Sequence, residues 1–173
     1  MTHTLWGLDF GTTTTYLSES VGESSVTYSL RTGSGKNVFL PSVVRSQGEV
    51  LLVGEVAEDG PEEEIIRSVK RAITLRRTSV PLFAEGRIDS SSVISADEAI
   101  KAILEQVRHI ARRDIGDVPI RLGCPAMWDS EQRQRLLALS KAAGFRIQFD
   151  TLIDEPVAAC MGWYQNQLSR GML

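Results

Sequence analysis

Asp9-Phe10-Gly11-Thr12-Thr13-Thr14-Thr15 sets a carboxylate, a glycine and four consecutive hydroxyls in one short stretch. An apolar run from Leu5 to Leu8 leads into it, and Tyr16-Leu17 begins a second apolar run after it. Glycine at such a corner lets the backbone turn where a side chain would clash, and lets a ligand approach closely. Hydroxyls beside a row of backbone N–H groups can hold phosphate oxygens. A carboxylate at the end of the strand can hold a hydrated cation over them. The same residues also suit a plain β-hairpin with a polar turn, because threonine is common in strands and turns. The rest of the chain decides between the two readings.

Other reactive groups narrow the choice. Gly33-Ser34-Gly35-Lys36 invites comparison with a Walker A loop, but Leu30 stands where the first glycine belongs. Asn37 also replaces the hydroxyl that would bind magnesium, so residues 31–37 read as a loop. His109 lies in the last turn of a predicted helix, where an imidazole serves the helix dipole rather than ligation or catalysis. Lys70 borders an apolar helical face, so its default environment is solvent. Cys124 and Cys160 form no Cys-x-x-Cys pattern and sit in apolar contexts, which predicts buried, inert thiols.

Bulk properties exclude whole classes of function. The 173 residues carry 42% hydrophobic and 24% charged side chains, ordinary for a globular chain. A net charge of −3 speaks against a general nucleic-acid or membrane-surface binder. No apolar run approaches the ~20 residues needed to span a bilayer. No basic segment followed by a long apolar one opens the sequence, so the reading expects no secretory signal and a cytoplasmic protein.

The elements that must position these residues follow from periodicity. Ser25 to Leu30 alternates as a third strand. Val38 to Val44 carries an internal proline and reads as an edge strand or bend, with Val50 to Gly54 returning after a turn at residues 47–49. Pro61 opens a predicted helix that starts with Glu62, Glu63 and Glu64 and ends among Lys70, Arg71, Arg76 and Arg77. Its buried face is Ile65, Ile66, Val69 and Ile73. Residues 81–92 are irregular. Ser95 and Glu98 form a capping box for a helix carrying Ile100, Ile103, Leu104, Val107, Ile110 and Ala111, with Arg112 and Arg113 in its last turn and Gly116 as its stop. Pro119 to Cys124 is a short buried strand. Asp129 and Gln132 cap the next helix, which Gly144 closes. Phe145 to Phe149 is predicted as a strand, and Pro156 begins the last helix. Strands separated by helices imply crossover connections and a sheet covered on both faces. Phosphate ligands bind at the carboxyl ends of such strands, where Asp9, Pro125 and Asp154-Glu155 would gather.

Placed in this order, four stretches carry a resemblance to the heat-shock-70 (DnaK-type) branch of the actin-like ATPases. Gly7-Leu8-Asp9-Phe10-Gly11-Thr12-Thr13-Thr14 is similar to its first phosphate loop, Asp-Leu-Gly-Thr-Thr-Asn-Ser. Leu40-Pro41-Ser42-Val43-Val44 with Val53-Gly54-Glu55-Val56-Ala57 resembles its Thr-Pro-Ser and Val-Gly-x-x-Ala segments, and Ser68-Val69-Lys70-Arg71 its Lys-Arg helix. Cys124 to Arg133, then Ala143-Gly144-Phe145, then Ile153 to Ala159 resemble Val-Pro-Ala-Tyr-Phe-Asn-Asp-x-Gln-Arg, Ala-Gly-Leu and Ile-Asn-Glu-Pro-Thr-Ala-Ala.

The resemblance implies an α/β fold: the first lobe of an actin-like (ribonuclease H-like) ATPase. That lobe has a mixed sheet with three antiparallel N-terminal strands and crossover helices. Residues 1–36 and 95–173 would form its core, and 37–94 a small inserted α+β subdomain. It implies ATP or ADP with Mg2+ as ligands. Gly11, Thr12, Thr13 and Thr14 would line the phosphates, and Asp9 would hold the magnesium through water. Lys70 would place the attacking water, Glu155 would join the hydration network, and Pro125 with Arg133 would form a nucleotide-sensing switch. The implied activity is ATP hydrolysis that controls binding of unfolded polypeptide, with co-chaperone and nucleotide-exchange factor as further partners, and no nucleic acid or membrane. Thr14 and Asp154 each stand where the family has asparagine, and Met127-Trp128 where it has Tyr-Phe, which marks a divergent member. The family's second phosphate loop and its peptide-binding domain have no counterpart in these residues, so the chain alone is expected not to hydrolyse ATP. The competing readings are a lobe of a filament-forming bacterial actin homologue and, behind it, a sugar kinase. The Pro-Ala and Gln-Arg pattern with the double threonine favours the chaperone branch.

Overall fold

Alternation of inward and outward side chains builds the main sheet. The computed structural model describes residues 4–21, 24–31, 38–80, 94–111, 115 and 118–172. β1 (Thr4–Phe10) buries Trp6, Leu8 and Phe10 and turns Leu5, Gly7 and Asp9 to the other face. The turn after it closes with Gly11 N–H donating to the Thr14 carbonyl at 3.0 Å. β2 (Thr14–Val21) returns antiparallel with Asp9 opposite Tyr16, and β3 (Ser24–Tyr28) pairs antiparallel with β2. β4 (Leu40–Pro41) also pairs with β2. There the Ser42 hydroxyl meets Thr15 Oγ1 at 2.9 Å, and Ser42 N–H donates to the Thr13 carbonyl at 2.8 Å, so the threonine loop is braced from behind.

A second, three-stranded sheet follows, with β5 (Val44–Gln47) between β6 (Val50–Val53) and β7 (Ile65–Ile66). Of two single-turn helices in this segment, α1 (Glu55–Glu58) packs on β5 and β6, and α2 (Arg71–Thr74) follows β7. β8 (Ser79–Val80) and β9 (Ile94–Ser95) pair before α3 (Ala96–Ile110). Ser95 caps α3 by accepting from the Glu98 N–H, and Ala99, Ile100, Ile103, Leu104 and Val107 form its buried stripe. β10 (Ile120–Cys124) then lies parallel to β1 with Leu122 opposite Leu8. α4 (Ser130–Ala142) starts from a full capping box between Asp129 and Gln132, and the Gln132 N–H holds the Asp129 carboxyl below its ordinary pKa. β11 (Leu152–Asp154) lies parallel to β10 and runs straight into α5 (Glu155–Ser169).

Among the described residues the main sheet is six-stranded and mixed, in the order β11-β10-β1-β2-β3 with β4 beside β2. The chain is therefore a mixed α/β protein with three antiparallel N-terminal strands, as expected. The inward face of the sheet, α3, α4 and the second sheet share one hydrophobic cluster. That burial supplies the main stabilisation.

Several expectations are corrected. The predicted helix from Pro61 to Arg77 is a 3-10 turn at Glu62–Glu64, then β7, then α2. Ile65 and Ile66 join a sheet because Arg45 and Val44 offer them open ladder positions. Ser68 then adopts φ 59, which no helix interior permits. The predicted strand at Phe145–Phe149 is instead an extended connection ending in a 3-10 turn, Phe149–Thr151, and the strand that pairs is β11. Alternation favoured the earlier stretch, but parallel register with β10 places the pairing at Leu152–Asp154. Only Ser95's half of the expected capping box is made. Among the described residues the sheet is not covered on both faces: Leu5, Asp9 and Tyr16 are exposed, and α5 buries no residue. Cys160 is correspondingly exposed, while Cys124 is buried as expected. The expected loop at 32–37, the irregular segment at 81–92, and Arg112, Arg113 and Gly116 lie outside the described residues.

Gly11 shows a constraint imposed by the backbone itself. A Cβ there would overlap the Thr14 carbonyl oxygen, which is backbone and cannot swing away. Gly11→Ala is expected to destabilise the protein by about 1–3 kcal/mol, read as a lowered urea midpoint. An unchanged midpoint would show that the turn tolerates a side chain.

Candidate functional site

Three parallel strands end together, and the chemistry sits where they end. Asp9 is the penultimate residue of β1, Pro125 follows β10, and Asp154-Glu155 joins β11 to α5. Cys124 pairs with Asp154 across the ladder, which sets these ends side by side. Gly123 leaves the space between them open: a Cβ on it would stand 3.7 Å from Glu155 Cγ and 3.9 Å from Asp9 Oδ1. Asp9 and Glu155 thus converge over one glycine. They border a cleft of about 350 Å3 on the open sheet face, floored by Gly7, Ser18 and Gly123 and edged by Ala158 and Ala159 of α5.

Lys70 enters this corner from the opposite side of the sheet. It caps the start of α2, two residues after the left-handed Ser68. Its Nζ lies 2.5 Å from Glu155 Oε1, and the residue is only 4% exposed. The default expectation of a solvated lysine is therefore corrected. Its ammonium stands 5.7 Å from the Phe10 ring centre and 5.6 Å from that of Trp128, within cation–π range. Partial burial pushes the Asp9 carboxyl above its ordinary pKa; the Lys70 charge pulls it back and Glu155 adds to the rise.

Arg133 organises the loop after β10. Its Nη2 lies 2.6 Å from Asp154 Oδ1, and its Nε donates to the Trp128 carbonyl at 3.0 Å. The same guanidinium donates to the Pro125 and Ala126 carbonyls at 3.5 and 3.3 Å and to Cys124 Sγ at 3.0 Å. A planar fork with five donors suits such a hub. The Asp154 carboxylate raises the Arg133 pKa further, and burial pushes the Cys124 thiol up.

The residues singled out in the sequence are therefore brought together. Lys70 and Glu155 meet directly, Asp9 lies near enough for both charges to act on its carboxyl, and Gly11, Thr12, Thr13 and Thr14 form the turn that follows β1; of these residues Asp9 and Glu155 line the cleft. Thr13 is exposed and Thr14 already belongs to β2. Pro125 and Arg133 form the neighbouring loop. Phe10, Trp128, Thr74 and Gln132 were not assigned to the site from sequence. Gln132 serves its cap, yet its Nε2 also donates to the Ile73 and Thr74 carbonyls at 3.2 and 3.1 Å. Asp154 read as a departure from a pattern rather than as the partner of Arg133. A complementary Arg and Asp was the available signal, but their 21-residue separation hides it.

Among the described residues no group of three or more His, Cys, Asp or Glu side chains forms a metal cluster, and no helix is long and apolar enough to cross a membrane. Neither a protein-family model nor a curated protein matches the chain.

The raised Asp9 pKa has a definite sign. The folded state holds the Asp9 charge less comfortably than the unfolded state does, so the charge costs stability above the ordinary carboxylate range. Asp9→Asn is expected to raise the melting temperature at pH 7 by about 1–3 °C, a small gain because the residue borders solvent. The gain should vanish as pH falls below the ordinary carboxylate range, where the wild-type group is protonated in both states. Thermal melts from pH 3 to 8 check this; a lowered melting point at pH 7 would contradict it.

Proposed function

We propose that this chain is a phosphate-binding lobe of an actin-like ATPase of the heat-shock-70 kind, a divergent chaperone ATPase that works on unfolded polypeptide. The observation that supports the reading best is the meeting of Lys70, Glu155 and Asp9, from three distant parts of the sequence, beside the Gly11–Thr14 turn. A hairpin with a merely polar turn has no use for a buried lysine aimed at its corner.

Asp9 and Glu155 offer hard oxygen donors at an open cleft, and too few of them for a closed cage. That set fits a magnesium ion held through water. The ion would neutralise phosphate charge. Backbone N–H groups and hydroxyls of Gly11, Thr12, Thr13 and Thr14 would orient phosphate oxygens. Lys70 would place a water against the terminal phosphate, with Glu155 accepting from that water network. Positioning and electrostatic stabilisation are the usual means of phosphoryl transfer, so no covalent nucleophile is required. Arg133 and Pro125, joined to Asp154, would relay occupancy of the cleft to the β10–α4 loop. Clients, a co-chaperone and an exchange factor belong to the same reading.

The site faces solvent on the Asp9 and Thr13 side, so one wall holds the phosphates. The chain alone is expected to bind Mg-ATP in roughly the millimolar range and to hydrolyse none. In NMR titrations the amides of residues 9–14 and 123 should shift, and Lys70→Ala should remove the response. Micromolar affinity by calorimetry would overturn the one-wall expectation, and shifts confined elsewhere on the chain would overturn the site.

A further inference from the structure

We propose that Trp128 is a positioning residue for Lys70, forming with Phe10 an aromatic seat that fixes the ammonium while leaving N–H donors unspent. An ammonium carries three donors, and among the described residues that of Lys70 makes one hydrogen bond, to Glu155. At 4% exposure water compensates little of the remainder. Two ring faces, at 5.6 and 5.7 Å, stabilise the charge electrostatically without accepting a hydrogen bond. A second carboxylate in their place would occupy the donors. The rings keep them for an incoming oxyanion.

Trp128 is built to hold its place. Its indole N–H donates to Thr74 Oγ1 at 3.1 Å, its backbone N–H to the Pro125 carbonyl at 3.1 Å, and its own carbonyl accepts from Arg133 at 3.0 Å. Gln132 also grips the Ile73 and Thr74 carbonyls, so the α2 turn that carries Lys70 and the loop that carries Trp128 are stitched together. The segments that carry the ammonium and the ring are therefore tied to each other, whereas the Glu155 side chain is 38% exposed and can exchange partners. That the oxyanion is phosphate rests on the function proposed above; the seat does not.

Ring currents give the test. The chain has lysines at 36, 70, 101 and 141. In a carbon–proton spectrum of the lysine-labelled chain, the Lys70 Hε signals should lie well upfield of those of Lys101 and Lys141. Trp128→Phe, which keeps a ring, should retain most of the displacement. Trp128→Leu should lose about half of it, because Phe10 remains. Should that variant fail to fold, Thr74→Val, which releases the indole, must still move the signal. Lys70 signals at the position of those of Lys101 and Lys141 in the wild type would overturn the seat, as would a folded Trp128→Leu protein with an unchanged Lys70 signal. Inorganic pyrophosphate with magnesium serves as the second probe. A displaced Lys70 signal that pyrophosphate leaves untouched supports the seat and counts against the phosphate reading.

Discussion

The contact between Lys70 and Glu155 joins residues 85 positions apart, and the rest of the site depends on it. Lys70 belongs to the segment that follows the second sheet, and Glu155 opens the last helix. Their meeting requires β1, β10 and β11 to end in register and requires the Ser68 kink to aim the lysine inward. A nearly buried ammonium without its carboxylate would be strongly unfavourable, so the pair constrains every element that carries it.

A second ion pair stands directly beside the first. Asp154 holds Arg133 and Glu155 holds Lys70, so adjacent backbone positions anchor two different parts of the fold. The β10–α4 loop is fixed through Arg133, and the α2 turn through Lys70. A small rotation at the β11–α5 junction would disturb both anchors together.

Local signals were legible and long-range ones were not. The β1–β2 hairpin, the α3 stripe, the Asp129–Gln132 cap and the helix begun at Pro156 are short-range patterns, and each is present. The segment from Pro61 to Arg77 misled because acid-first, base-last charge and Ile65, Ile66, Val69 and Ile73 at helical spacing imitate an amphipathic helix. Ladder partners on β5 and the left-handed Ser68 are invisible to such counting. The strand at β11 was missed for the same reason, since its pairing is set by β10 rather than by its own three residues. Asp9, Lys70 and Glu155 were singled out from motif order, but the rings beside Lys70, although they lie inside two of the same motif stretches, were given no role there. Phe10 alternates as any core strand residue does, and Trp128 lies in a loop.

Helix ends explain why the two charges are held so differently. Glu155 is the first residue of a 15-residue helix, where exposed N–H groups and the helix dipole favour negative charge. Lys70 stands at the N-cap of α2, the end that disfavours a cation. That helix has only four residues, so its opposition is weak, but it offers the lysine nothing. Compensation has to come from across the fold, and it does: a carboxylate from α5, one ring from β1 and one from the loop before α4. The lysine is thus supported entirely by elements other than its own. Any change in how those elements meet alters the surroundings of its ammonium, whose partner Glu155 borders the cleft together with Asp9.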